Sequence, residues 1–537
     1  MITRDEFLRR SAMAGATLGL APEAEALGAR MSQTDRSTLI VAAADTPQIL
    51  DMQKTVHPPS EEVVVGGTND VLWEFKKKKI GPGQFASDFN APFAPRLATS
   101  WHVSKDGRTW TIKLRKGVKS AAGNEFTSAD VKWTWDRIFG VKGLGIFYYN
   151  TLNMKPKDIK VIDKYTVSFT TAKPAATFLC DMQQFAAVIF DSTEAKKHAT
   201  ASDPWATDWL AKHAAGFGPY VIDSWTPGEQ MVLSARRDYY LGTPKIHKVI
   251  YRAVPSSANR LALLLSGTVD VAEDLSAEEL AKVRASKGVA DLFWPRGSRF
   301  AALMMNLASK PFNDVRVRQA IAYATPYDDI VKGVYLGRAR RMRTIFPSNY
   351  PYATSRFNPY HTDYEKARSL LKAAGYGKGF STTLSYNAAV PEEERLAILM
   401  RTSLKKVGVN LSLQKLPPAV FFTKLQGKQF PFVIFLDQPI CPNPGYALFL
   451  YYVTKSLVNY TYYSNKQVDR LILRGLGGSL NPKFQRRIWY EVQRRVLRDC
   501  PWVWVAEQGF HLAVRSNVRG ATWYPINDIQ FRDFSKS

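Results

Sequence analysis

At 537 residues the chain exceeds one ordinary domain, so two or more cores are expected. Its 45% apolar content is ordinary for a globular protein, and no run of about eighteen apolar residues exists to span a membrane, so the mature protein is expected to be soluble. A formal net charge of +26 raises nucleic acid as a partner, with Lys76 to Lys79 and Arg338, Arg340, Arg341 and Arg343 as the best candidates. The charge is spread along the whole chain and no nucleic-acid module's motif occurs, so it is read as a solvated basic surface and no nucleic acid is expected.

The first thirty residues read as an export address. Thr3-Arg4-Asp5-Glu6-Phe7-Leu8-Arg9-Arg10 precedes an Ala/Gly-rich segment from Ser11 to Ala21, and Ala24-x-Ala26 offers small residues to a signal peptidase. The segment resembles a twin-arginine signal, with Asp5 standing where the second arginine of the pair belongs. The first cysteine is Cys180, so none is available for lipid anchoring, and a free periplasmic protein of a Gram-negative bacterium is expected. Cys180, Cys441 and Cys500 allow at most one disulfide and require none. The scattered His residues form no HExxH and no Cys/His cluster, so neither a metal nor a cofactor is expected.

Leu39 to Ala43 reads as a buried first strand, and Asp45-Thr46-Pro47 as the turn after it. From Pro95 to Ile138 the pattern is denser. Trp110, Ile112 and Leu114 alternate with Thr111, Lys113 and Arg115, the period of two that gives a strand one apolar and one wet face. Asp106-Gly107 supplies the hairpin turn before it. Thr127 and Asp130 stand at capping-box spacing, and Val131, Trp135 and Ile138 then share one side of a helix.

This stretch resembles the solute-binding proteins of ABC importers in the peptide, oligopeptide and nickel-binding family (family 5). Members carry LA-x-SW-x-VS-x-DG-x-TW, then L-x-x-GV, then FTA-x-DV; here stand Leu97, Ala98, Ser100, Trp101, Val103, Ser104, Asp106, Gly107, Thr109 and Trp110, then Leu114, Gly117 and Val118, then Phe126, Thr127, Asp130 and Val131. Ser120-Ala121-Ala122 departs from the aromatic-His-Asp of relatives. The resemblance implies that the first strand opens the larger lobe and that the loop holding Thr46 and Pro47 borders the ligand.

Further on, Tyr165 to Phe169 is an alternating strand. Gly216-Phe217-Gly218-Pro219-Tyr220, the block Asp238, Tyr239, Tyr240, Gly242, Pro244, and the run Arg260 to Asp270 resemble scaffold motifs of the same family. So does Pro311-Phe312-Asn313-Asp314-Val315-Arg316-Val317-Arg318, where Asp314 is expected to cap a helix burying Val317, Ile321 and Ala324. Helix Tyr364 to Ala374, strand Thr382 to Tyr386, helix Pro391 to Val407, strand Val409 to Leu413 and strand Phe432 to Leu436 then alternate, which predicts an α/β sheet with crossover helices. Lys483 to Arg498 reads as a helix with Phe484, Ile488, Val492 and Val496 inward, and Pro501 to Val505 as the return to the larger lobe.

Ligands of such sheets gather beyond the carboxyl ends of strands, and Asp437 is the first charged residue past Phe432 to Leu436. Resembling peptide-binding members hold the ligand's terminal ammonium with an aspartate in this loop, which makes Asp437 the principal candidate. A loop aspartate capping a turn is the plain alternative. Tyr446 and Phe449 are candidate pocket walls, with core packing as their alternative. The arginine that dipeptide-binding relatives use for the carboxylate is absent from Leu384 to Pro391.

The resemblance thus implies an α/β, two-lobed periplasmic binding protein, type II-like and of cluster C, with a subdomain inserted in the larger lobe. Residues 1–30 would be the export signal, 37–57, 216–298 and 505–537 the first lobe, 58–215 its insert, and 299–504 the second lobe. Its function would be to capture a peptide-like or other small solute by hinge closure about crossings near Arg299 and Val505, without altering it, and to pass it as a monomer to a membrane ABC permease. A hydrolase with an unrecognised site and a basic surface binder of anionic polymers are the competing classes; no GxSxG, Walker or Rossmann motif favours the first.

Overall fold

Two open sheets, one on each side of a pair of chain crossings, organise the molecule. The computed structural model describes residues 36–537 apart from 55–57, 92, 144, 146–151, 153, 296 and 527, so the expected export segment lies outside the described residues. A seven-stranded sheet runs in the order Tyr220–Thr226, Gln230–Ala235, Lys248–Ala253, Thr38–Ala43, Val271–Ala272, Phe510–Arg515, Val289–Trp294. Its first strand is almost continuously apolar because both faces are covered. Leu39, Val41 and Ala43 enter the main core, while Ile40 and Ala42 join a smaller cluster with Leu261 and Leu264 of the helix Ser257–Ser266.

The second sheet has six strands, ordered Ala339–Arg341, Trp502–Gln508, Phe300–Met305, Phe432–Asp437, Phe380–Asn387, Val409–Leu416. Phe380–Asn387 pairs in parallel with both of its neighbours, and the helix Pro391–Lys405 makes the crossover that a parallel pair requires. Asp314 caps the helix Val315–Tyr323 by accepting a hydrogen bond from Arg316 N at 2.8 Å. The final helix spans Pro482–Asp499 and buries Ile488, Val492 and Val496.

Residues 58–215 contribute a separate four-stranded sheet, ordered Ala98–Val103, Thr109–Leu114, Thr166–Thr170, Ile159–Asp163. The hairpin and the helix Ser128–Val141 form as the alternation predicts, and Thr127 and Asp130 make the reciprocal capping box. Trp110, Ile112, Leu114, Val131, Trp135 and Ile138 meet in one cluster.

The chain passes between the two large sheets at residues 295–299 and again at Gly509. The return therefore lies four residues beyond Val505, because Trp502 to Ala506 are all buried and the strand stays paired with Phe300–Met305. Both crossings carry glycine for want of room. A Cβ on Gly509 would sit 2.1 Å from the Phe293 ring, and one on Gly297 2.8 Å from Phe510 N. The two crossings thus touch backbone to backbone.

The insert is bolted to the seven-stranded lobe by buried charge. Asp70 accepts from Arg96 Nη2 at 2.9 Å, from Tyr239 and Tyr240 hydroxyls at 2.7 Å each, and from Arg96 Nε at 3.2 Å. Arg532, from the carboxyl-terminal segment, pairs with Glu74 and approaches Asp70 at 3.9 Å. A second bolt joins Arg137 to Asp51 at 2.5 Å, both fully buried. Burial alone would raise the Asp70 carboxyl, but the Arg96 and Arg532 guanidiniums outweigh it and hold it below the usual range.

Asp70→Asn leaves two buried guanidiniums short of countercharge and is expected to lower the unfolding free energy at pH 7 by about 3 kcal/mol. A depressed carboxyl stabilises the fold above its unfolded pKa of about 3.9 and loses that contribution as pH falls through its folded value. Urea titrations at pH 7 and pH 3 should therefore show the gap between variant and parent shrinking at the lower pH.

Candidate ligand site between the lobes

Strand register puts four residues in a row at one end of the six-stranded sheet. Arg340 pairs with Glu507, Glu507 with Phe300, and Phe300 with Asp437. Phe300 is the first strand residue after the crossing, so the row lies where the two lobes meet. Half-buried Asp437 ends its strand with Oδ2 accepting from Tyr451 OH at 2.6 Å and Oδ1 from Gln438 N at 2.8 Å. Burial raises its carboxyl; the Tyr451 and Gln438 hydrogen bonds and then the Arg299 guanidinium oppose the rise. The bond from Gln438 N is the turn cap that was the plain alternative for this residue.

Tyr451 is delivered by the helix Pro444–Tyr452, which Asn443 starts by accepting from Gly445 N at 2.8 Å. Tyr446 of the same helix is buried, and its hydroxyl pKa is raised first by burial and then by the carboxylates of Asp181 and Asp437, the Tyr350 phenol and the Glu61 carboxylate. Asp181 and Glu61 belong to the insert, so Tyr446 stands where the lobes face each other. Phe449 is half-buried and packs against the main core.

Opposite these lies a gathering of acids. Arg299 approaches Asp528 at 3.5 Å, and Asp528 accepts from Trp523 Nε1 at 3.1 Å and from Gln438 Nε2 of the other lobe at 3.2 Å. Burial, then Asp528, raises the Glu61 carboxyl. Tyr251 OH lies 3.2 Å from Glu62 and 3.0 Å from Glu273, so two carboxyls converge on one phenol. Burial and the neighbouring Asp274 push Glu273 up to about 8. In a chain with a formal charge of +26, this junction gathers acidic groups, of which Glu273 keeps its proton at neutral pH.

At the other end of the row is an open cavity of about 250 Å³ whose walls include Arg340, Arg341, Arg343, Thr344, Ser348 and Glu507. Glu507 is occupied there, accepting from Arg340 Nη2, Ser348 N and Ser348 Oγ, each at 2.7 Å. The Arg341 guanidinium lies 4.0 Å over the Tyr327 ring. Three of the four arginines of the basic run that raised nucleic acid as a partner, Arg340, Arg341 and Arg343, thus stand in one cavity wall, while Arg338 lies over the Phe293 ring.

Thr46 and Pro47 are both buried, with polar atoms bonded to a neighbouring hairpin. Thr46 is fully buried with its hydroxyl accepting from Gly228 N at 2.9 Å, and the Pro47 carbonyl accepts from Trp225 Nε1 at 2.9 Å. Their polar atoms hold the hairpin of Tyr220–Thr226 and Gln230–Ala235. Sequence reasoning missed Glu61, Glu62, Glu273, Asp528 and Arg299, which no local pattern joins. It also left the cysteines open: Cys180 and Cys441 form a disulfide with a Cα–Cα distance of 5.6 Å, and Cys500 is free and buried. Among the described residues no group of His, Cys, Asp and Glu is arranged to hold a metal, and no helix is long and apolar enough to cross a membrane.

Two α/β lobes joined by paired crossings, with an insert in one of them, are the architecture of periplasmic solute-binding proteins. Residues 92–457 match the bacterial extracellular solute-binding proteins, family 5, and the chain belongs to that family. It is 28% identical over 435 residues to the probable D,D-dipeptide-binding periplasmic protein DdpA of Escherichia coli K12, covering 80% of this chain and 82% of that one. It is 26% identical to the glutathione-binding protein GsiB of the same strain, covering 87% and 90%. Among solved structures, the periplasmic binding protein DppA of Helicobacter pylori in complex with the peptide STSA superposes with a TM-score of 0.80 at 23% identity, over 93% of this chain and 98% of that one. The dipeptide-binding protein of Pseudoalteromonas sp. SM9913 in complex with Met-Leu gives 0.82 at 21% identity, over 93% and 100%. The protein is the solute-binding component of an ABC import system.

Glu273 sets a pH test. With a folded pKa of about 8 against about 4.3 unfolded, the native state keeps a proton that the unfolded chain releases, so stability falls as pH rises between those values and levels off above them. Glu273→Gln is expected to match the parent near pH 4 and to exceed it by about 1–3 kcal/mol near pH 9 in urea unfolding.

Proposed function

We propose that the solute is a short zwitterionic peptide or peptide-like molecule, held between an ammonium end at Asp437 and a carboxylate end at the arginine cavity. The register row carries this reading. Asp437 and Arg340 are three strand spacings apart, about 14 Å in all, and an extended chain of three or four residues at about 3.4 Å each spans that distance. Asp437 and Asp528 supply the acidic end, and charged hydrogen bonds there offset the desolvation of the ammonium. The arginine expected in Leu384 to Pro391 is replaced, in this reading, by Arg340 and Arg343 from a different strand edge.

Of the relatives' names, glutathione fits that span as a small peptide with free ionic ends, whereas a D,D-dipeptide has the ionic ends but covers only about half of it. Closure about the crossings at 295–299 and Gly509 removes water from the junction and strengthens every polar contact within it. The chain is exported to the periplasm, works as a monomer, releases its solute unaltered and delivers it to a membrane permease.

Thermal shift against a peptide panel tests this. Free tri- and tetrapeptides are expected to raise the melting temperature, and N-acetylated or C-amidated versions to do so much less. Asp437→Asn should weaken a tetrapeptide by about 1.5–3 kcal/mol, roughly ten- to a hundredfold, and Arg343→Ala should remove the preference for a free carboxylate. Equal response to blocked and free peptides would overturn the two-ended site.

A further inference from the structure

We propose that the Cys180–Cys441 disulfide is a strap between the lobes that limits how far the cleft opens and thereby controls exchange of the solute. The inference rests on the reading of two lobes that open and close around a solute, and adds its regulation. Cys180 lies in the short helix Phe178–Asp181 of the insert, and Cys441 in the loop that leaves the strand Phe432–Asp437 of the six-stranded lobe. The bond closes 261 residues of chain and joins two bodies otherwise connected covalently only at the crossings. Beside it Asn443 Nδ2 donates to the Ala176 carbonyl at 3.3 Å.

The strap acts because both anchors are fixed. The insert cannot follow the second lobe freely, since Asp70, Arg96, Arg532 and the Asp51–Arg137 pair bolt it to the seven-stranded sheet. On the other side, Asp437 is in register with Phe300 at the crossing, and Cys441 lies four residues beyond it. With one strand spacing from Phe300 to Asp437 and four residues of chain beyond it, Cys441 lies at most about 19 Å from the crossing. The Cα–Cα distance is 5.6 Å, and a disulfide tolerates little beyond about 6.8 Å. A slack of roughly 1 Å corresponds to a rotation of about 3° at that distance and about 6° at half of it.

In the oxidised protein the cleft is held nearly shut and a bound solute leaves slowly. Exchange with a dithiol, which gives up two electrons and two protons and closes to its own cyclic disulfide, returns Cys180 and Cys441 to thiols and frees the lobes. A small-molecule disulfide reverses the step by accepting the same electrons and protons.

The experiment uses the mature full chain without solute. Thiol titration of the denatured, non-reduced protein should find one thiol, Cys500, and peptide mapping should find Cys180 joined to Cys441; three thiols would overturn the proposal. Small-angle scattering should then show the radius of gyration rising on native reduction with dithiothreitol and, independently, in the Cys180→Ser/Cys441→Ser double variant, whose folding is checked by circular dichroism. An unchanged radius in reduced parent and folded variant overturns the strap. Neither measurement involves a peptide, so failure of the two-ended site leaves this result standing. For a peptide that does bind, displacement by excess unlabelled peptide should be several-fold faster in the variant, and equal rates count against the strap.

Discussion

The carboxylate of Asp70 is the constraint on which the mechanics depend. It is fully buried, takes hydrogen bonds from Arg96, Tyr239 and Tyr240, and lies beside Arg532. These partners come from the insert, from the first lobe's second hairpin region and from the carboxyl-terminal segment. A buried charge with only some of its partners is costly, so the three segments are held in one arrangement. The insert and the seven-stranded sheet therefore move together. Relative motion is left to the crossings, where Gly297 and Gly509 let two strands of backbone touch.

Electrostatics divide the molecule in a second way. The exterior is basic, yet the junction collects Glu61, Glu62, Glu273, Asp437 and Asp528 around Arg299. Burial raises each of these acids, so gathering them there has an electrostatic cost. In the proposed site, an ammonium gains more from Asp437 and Asp528 when the lobes are shut and water is gone than when they are apart. Differential interaction of this kind is what a ligand needs in order to shift an opening equilibrium.

Local chemistry was legible in the sequence and long-range assembly was not. The capping box of Thr127 and Asp130, the alternation of Trp110, Ile112 and Leu114, the cap at Asp314 and the strand ending at Asp437 are set by neighbours a few residues away. Asp437 could be singled out as the charged residue ending its strand because strand-end position is a local property in an α/β sheet. Glu61 and Asp528 meet across more than 460 positions by folding alone. Thr46 sat in the expected turn, but its hydroxyl was claimed by Gly228 from a distant hairpin. The return crossing was placed at Val505 because the apolar run gives no sign of where pairing stops; Gly509, which has no room for a Cβ, marks it.

A tether between the lobes changes the thermodynamics of capture as well as its geometry. In an untethered clamshell much of the free ensemble is open, and the apparent affinity is the intrinsic affinity scaled by the fraction that is competent to bind. A strap of the kind proposed removes the widely open states, so that less of a solute's contact energy is spent on reaching closure. The same restriction slows entry and release, because a solute with two charged ends must pass a narrow mouth while shedding water. Retention and exchange thus pull in opposite directions on one bond. A protein that binds to deliver needs that bond to be strong enough to hold the lobes together and accessible enough, chemically or mechanically, to let them part.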